Sequence, residues 1–121
     1  MYTFPIVEKH LSSIKNIEHI HPRKQRVVEK ILKEVPVISV FGSSTRWDCN
    51  ETSDIDLLLN KNDISMSKEE VFSRLARIID SDFDILWEDE IRDCLDKHQK
   101  DNILNRSVKV YGSCKGITFM D

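Results

Sequence analysis

Val37-Ile38-Ser39-Val40-Phe41-Gly42-Ser43, answered by Asp54-Ile55-Asp56-Leu57-Leu58-Leu59, is the stretch on which the fold turns. The first run is β-branched and aromatic, is bounded by Pro36 and Gly42, and is too short for a buried helix, so it reads as a core strand. Ser43 to Ser53 is polar and turn-rich, and a second strand then runs from Asp54 to Leu59, closed by Asn60-Lys61-Asn62-Asp63. Residues two apart in a strand share a face, so Asp54 and Asp56 project together while Ile55, Leu57 and Leu59 face the core.

Outward from this pair of strands the apolar spacing changes to that of helices. Val27, Val28, Ile31, Leu32 and Val35 predict a helix whose remaining positions, Arg23, Lys24, Arg26, Lys30 and Lys33, form a solvated basic face, and Pro36 stops it. Upstream, Val7, Leu11, Ile14 and Ile17 predict a short amphipathic helix that Pro22 interrupts. Downstream, Ser67 with Glu70 has capping-box spacing, and Val71, Phe72, Leu75, Ile78 and Ile79 supply the apolar face of a third helix. Phe83-Asp84-Ile85-Leu86-Trp87 is a third strand. Ile91, Cys94 and Leu95, then Ile103 and Leu104, mark one or two helices leading to a final strand at Val108-Lys109-Val110-Tyr111. The expectation is one α/β or α+β domain over residues 1–121, a mixed sheet of about four strands flanked by helices, with residues 1–22 as an N-terminal helical extension.

Composition narrows the function classes. With 121 residues the chain suits one core, and 18 basic against 21 acidic residues, net −3, is the wrong sign for a protein that lives on nucleic-acid phosphates. Cys49, Cys94 and Cys114 are odd in number and widely spaced, which suggests neither a disulfide framework nor a zinc site. Charge at Glu8 and Lys9 breaks any apolar leader, and no apolar run approaches the roughly 20 residues that span a bilayer, so a cytoplasmic protein is expected.

The chemistry gathers on the first three strands and the turn after the first. Two like charges on Asp54 and Asp56 repel, and a divalent cation is the usual way to keep both ionised. Gly42 lets a phosphate approach the backbone, and Ser43 offers a hydroxyl and an N–H. Asp84 is a third carboxylate, with Asp82 as its competitor two positions earlier. His19 and His21 lack further ligands nearby and read as surface residues. Trp87 reads as core, whereas Trp47 is balanced between nucleotide contact and local packing.

Gly42-Ser43, ten intervening residues, Asp54-Ile55-Asp56 and a later Asp84 within an apolar strand resemble the polymerase-β-like nucleotidyltransferase superfamily. The resemblance is greatest to its minimal branch, which includes antitoxins paired with HEPN-domain ribonuclease toxins. It runs from about Val27 to Tyr111 and includes an Ile103 to Tyr111 ending of the form Ile-x4-Val-x-Val-Tyr. It implies a nucleotidyltransferase fold, with Asp54, Asp56 and Asp84 as catalytic residues holding two Mg²⁺ ions, and Gly42, Ser43 and Arg46 binding the nucleotide, ATP. Trp47 stands where relatives often carry glycine, which puts the acceptor pocket rather than metal binding in question.

What the resemblance implies about activity is transfer of a nucleotide, AMP from ATP, to a hydroxyl. Relatives that modify small molecules generally add a helical domain over the acceptor, and only ten residues follow Tyr111. A tyrosine of a cognate HEPN toxin is therefore the expected acceptor, the chain acting as antitoxin; a homo-oligomer that completes the pocket is the variant of this. Two alternatives stand beside it: a non-catalytic antitoxin that works by occlusion, and a transferase acting on a small molecule such as an antibiotic. Membrane and nucleic-acid partners are not expected.

Overall fold

The computed structural model describes residues 2–94 and 96–112; Leu95, Cys114 and the side chain of Cys94 lie outside the described residues. In chain order the elements are β1 (Ile14–Lys15), α1 (Pro22–Glu34), β2 (Val37–Phe41), β3 (Ile55–Leu59), α2 (Lys68–Ile78), β4 (Phe83–Trp87), α3 (Glu88–Cys94), α4 (Lys97–Arg106) and β5 (Val108–Gly112). They build one mixed sheet in the order β1-β5-β2-β3-β4. Only the β3–β4 pair is parallel, joined through α2, while β2 is antiparallel to both β3 and β5.

The sheet therefore has five strands rather than about four. The addition is β1, a two-residue strand pairing Ile14 with Gly112 and Lys15 with Tyr111. It comes from the segment expected to be a helical extension. That segment instead makes two short 3₁₀ turns, Lys9–Ser13 and Ile17–His19, around β1. The cause is visible in the spacing. Leu11, Ile14, Ile17 and Ile20 are all buried and recur every three positions, the 3₁₀ rather than the α period, and Asn16 takes a left-handed conformation (φ 71°) that breaks any continuous helix. Val7, expected on the apolar face, is exposed.

Alternation along the strands puts Ile38, Val40, Ile55, Leu57, Leu59, Val108 and Val110 on one face, where they merge with Val28, Ile31 and Leu32 of α1 and Val71 and Leu75 of α2 into one buried cluster. Each fully buried aliphatic side chain contributes roughly 1.5–3 kcal/mol. The opposite face carries Phe41, Asp56 and Asp84 side by side, because Phe41 pairs with Asp56 and Asp56 with Asp84. Phe72 departs from the expected apolar face of α2 and is 56% exposed. No helix among the described residues is long and apolar enough to cross a membrane.

α1 is set in place by polar groups on its inner side. Pro22 opens the helix rather than interrupting one, with His21 as the cap whose Nδ1 accepts from Arg23 N–H at 3.1 Å. Gln25 is fully buried: its amide donates to the carbonyls of Pro5 and Ile20, both at 2.9 Å, and its oxygen accepts from Val7 N–H at 2.9 Å. Lys24 is buried as well, not on a solvated face, and its ammonium donates to the Ser53 carbonyl at 2.6 Å.

Three backbone groups of the N-terminal segment thus depend on one side chain. Gln25→Leu keeps the volume and removes the partners, and it is expected to cost about 2–3 kcal/mol in urea denaturation, the usual penalty for stranded buried polar groups. A loss below about 0.5 kcal/mol would show that the clamp contributes nothing.

Candidate functional site

Four elements meet at one end of the sheet. β2 ends at Phe41 and turns at Gly42–Thr45, β3 begins just after Asp54, and β4 begins at Phe83. The turn is held from behind by α1: His21 N–H donates to the Ser44 carbonyl at 2.8 Å, and Lys24 holds Ser53, next to Asp54. Within it, Thr45 Oγ1 donates to the Gly42 carbonyl at 2.9 Å and Arg46 N–H to the Ser43 carbonyl at 3.0 Å.

Gly42 is required here twice over. Its φ is +77°, a region that side chains strain to enter, and a Cβ at this position would collide with the Asp56 carboxylate. The backbone of the turn and the carboxylate are in contact because glycine leaves that space.

Asp56 is half-buried, between Phe41 and Asp84 in the row, whereas Asp84 and Asp54, two positions earlier in the chain, are exposed. Burial, then the charges of Asp84 and Asp54, push the Asp56 carboxyl above its ordinary pKa, and the Arg46 guanidinium partly opposes them. The three acids feel one another without closing into a ready-made cage: no three His, Cys, Asp or Glu side chains among the described residues gather closely enough to enclose a metal ion. Their donors are nonetheless the hard oxygens that Mg²⁺ takes, and a divalent cation would relieve the repulsion that adds to burial in raising the Asp56 pKa. Asp82, the competitor, precedes β4 and gives its carbonyl to Ile55 N–H at 3.2 Å. It is Asp84 that stands opposite Asp56.

On the far side of the turn from Asp56, β5 pairs Val108 with Val40, which brings the end of α4 beside Gly42. A cleft of about 380 Å³ opens there, lined by Tyr2, Gly42, Arg46, Asn105 and Arg106 among others. Arg46 is exposed and shares its Nε with Asp48 at 3.1 Å. Arg106 has no acidic partner within salt-bridge distance among the described residues. Ser44 is buried in the turn, and its hydroxyl has no hydrogen-bond partner among the described residues. Trp47, 58% exposed, packs on Phe4 with ring centroids 4.5 Å apart and stands edge-on to Tyr2 at 6.3 Å. Its role in this structure is to pin the N-terminal segment over the loop.

Comparisons of the chain with protein-family models, with curated proteins and with solved structures each gave no significant match. The functional reading therefore rests on the geometry and on the motif resemblance.

Of the sequence-derived site residues, the structure brings Gly42, Ser43, Asp54, Asp56 and Asp84 to one sheet end, with Arg46 at the rim. Sequence reasoning missed Arg106, Asn105, Tyr2 and Lys24. The first three lie far from the motif in the chain, and nothing in their local pattern marks them. Lys24 carried one signal: in α1 it precedes Gln25 and lies four positions before Val28, next to the apolar stripe.

The raised Asp56 pKa has a stability consequence. A carboxyl raised above its unfolded value favours the fold while protonated, and that contribution is lost as pH rises from the unfolded value through the folded one. Asp56→Asn is therefore expected to be more stable than the parent at neutral pH in urea denaturation. The gain should vanish below the ordinary carboxylate range. Equal stability of the two proteins at neutral pH would contradict it.

Proposed function

We propose that the chain is a metal-dependent nucleotidyltransferase with the nucleotidyltransferase fold, a minimal domain over residues 1–121 that transfers AMP from ATP to a hydroxyl. The observation that carries this is the row Gly42, Asp56, Asp84: a glycine turn at positive φ packed against one carboxylate, with a second carboxylate opposite it in register. A phosphate-approachable backbone beside clustered acids is of little use to a purely structural domain, since the acids repel and one of them is partly desolvated.

In this reading the triphosphate lies across the turn. Its α-phosphate faces Asp54, Asp56 and Asp84, and its outer phosphates meet the N–H groups of the Gly42–Thr45 turn and the guanidiniums of Arg46 and Arg106. Asp54, Asp56 and Asp84 would hold two Mg²⁺ ions, which supply charge neutralisation to the transferring phosphate. The acceptor oxygen bonds to the α-phosphorus as the bond to the β-phosphate oxygen breaks, pyrophosphate leaves, and the hydroxyl proton passes to the Asp84 carboxylate. Positioning and electrostatics carry most of such a reaction.

The acceptor in this proposal is a protein hydroxyl, the tyrosine of a cognate HEPN toxin being the case that the sequence resemblance implies, with the chain as its antitoxin. Asp54 and Asp84 are exposed rather than roofed, which suits an acceptor that brings its own surface to exclude water. Incubation with labelled ATP, Mg²⁺ and candidate acceptors tests the reading. Asp56→Asn is expected to lower transfer by roughly 10²-fold or more, as loss of a group acting on the transition-state charge does. Undiminished transfer in Asp54→Asn combined with Asp56→Asn would overturn the assignment.

A further inference from the structure

The sheet ends at β4, whose outer edge pairs with no strand among the described residues. In the parallel ladder, Ile55 N–H donates to the Asp82 carbonyl, so even-numbered residues of β4 bond to β3. The N–H and C=O groups of Phe83, Ile85 and Trp87 consequently point away from the sheet. Exposed edges are ordinarily blunted by lysine, proline or a bulge. Phe83-Asp84-Ile85-Leu86-Trp87 has neither lysine nor proline and keeps an unbroken register with β3; its one charge is Asp84.

A groove of about 510 Å³ runs along this edge. Its apolar wall is Phe72, Phe83, Ile85 and Trp87, with the Phe72 and Phe83 rings 5.4 Å apart. Asp84 lies in the same groove, so the groove reaches the row of carboxylates. Its rim is acidic: Glu69 and Glu90 face it, and the one lysine, Lys68, is held by Asp89 at 2.9 Å and Glu90 at 2.7 Å.

We infer that this edge is the docking site for the acceptor, an extended segment of a partner protein that adds to β4 as a sixth strand. The inference rests on the nucleotidyl-transfer reading for its chemistry and on the edge for its geometry. Neighbouring strands lie about 4.8 Å apart, and directly opposed residues share a face. The residue opposite Asp84 therefore projects on the face of Asp84 and Asp56 and extends their row by one place. A hydroxyl side chain at that position is delivered beside the proton acceptor by backbone pairing alone. Residues on either side of it point to the opposite face and fill the groove against Phe72 and Phe83, so the segment is apolar at those positions. The acidic rim selects a basic residue near its end.

Peptides distinguish this from other arrangements. The full chain, isotopically labelled, is mixed with Mg²⁺, ATP and a library of short peptides with a fixed central tyrosine, serine or threonine and degenerate flanks. The selected peptides are expected to slow amide exchange at Phe83, Ile85 and Trp87 by on the order of ten-fold or more, and to gain nucleotide mass on the central residue. N-methylation of alternate peptide amides should abolish binding in one phase and spare it in the other, because only one edge of the added strand faces β4. Phe72→Glu, at an exposed position, should weaken binding by on the order of ten-fold. Protection of β4 without nucleotide transfer would support the docking and contradict the reaction. Transfer without protection, or equal effects of the two N-methylation phases, would overturn the docking alone. So would the absence of any selected peptide, or protection that appears without peptide and rises with protein concentration, which would assign the edge to a second copy of the chain.

Discussion

The contact between the Gly42 backbone and the Asp56 carboxylate constrains everything around it. Asp56 faces away from the core and is half-buried in part because the chain turns over it at Gly42, and the turn closes there because a glycine accepts φ +77° with no atom in the carboxylate's space. Shifting β3 by one residue against β2 would send Ile55 or Leu57 to this face and Asp56 into the apolar cluster. The buried positions Ile55, Leu57 and Leu59 prevent that slip, since each would lose its packing at the same time. Register and chemistry are fixed by the same alternation.

The opposite face of the sheet carries most of the stabilising load, and the Asp56 end of the other face carries the repulsion. A carboxyl raised by burial and by its neighbours' charges is a site held in an unfavourable state by the rest of the fold. The compensation lies in α1 and α2, whose apolar sides cover the strands, and in the inner polar contacts of Lys24 and Gln25, which hold the loop before Asp54 and the N-terminal segment. Cations on both flanks then become useful to any anion that enters: guanidiniums on the β5 side of the turn and, in the proposed reaction, metal ions on the β3–β4 side.

Much of this was legible in the sequence where periodicity and turn residues agreed. The strands around Gly42, at Asp54–Leu59 and at Phe83–Trp87, were all readable because each is short, β-branched or aromatic, and bounded by glycine, proline or polar runs. Asp56 opposite Asp84 was not readable, since a register between two strands joined by a helix depends on packing rather than on local pattern. The N-terminal segment misled because Val7 and Leu11 fit an α spacing, while the full set Leu11, Ile14, Ile17 and Ile20 keeps a period of three. Phe72 also misled: its helical phase is apolar, yet it lies beyond the sheet edge, where no described strand covers it. Arg106 and Tyr2 reach the cleft only through the pairing of β5 with β2 and the clamp at Gln25, both long-range.

Paramagnetic relaxation by Mn²⁺, in the presence of a non-hydrolysable ATP analogue, reports most directly on whether these residues hold a metal-bound nucleotide. The account predicts selective broadening of the backbone amide signals of Gly42, Ser43, Ile55, Asp56 and Asp84, with those of β1 and the middle of α2 unaffected. Broadening centred elsewhere on the chain, or the same broadening undiminished in Asp56→Asn, would contradict it.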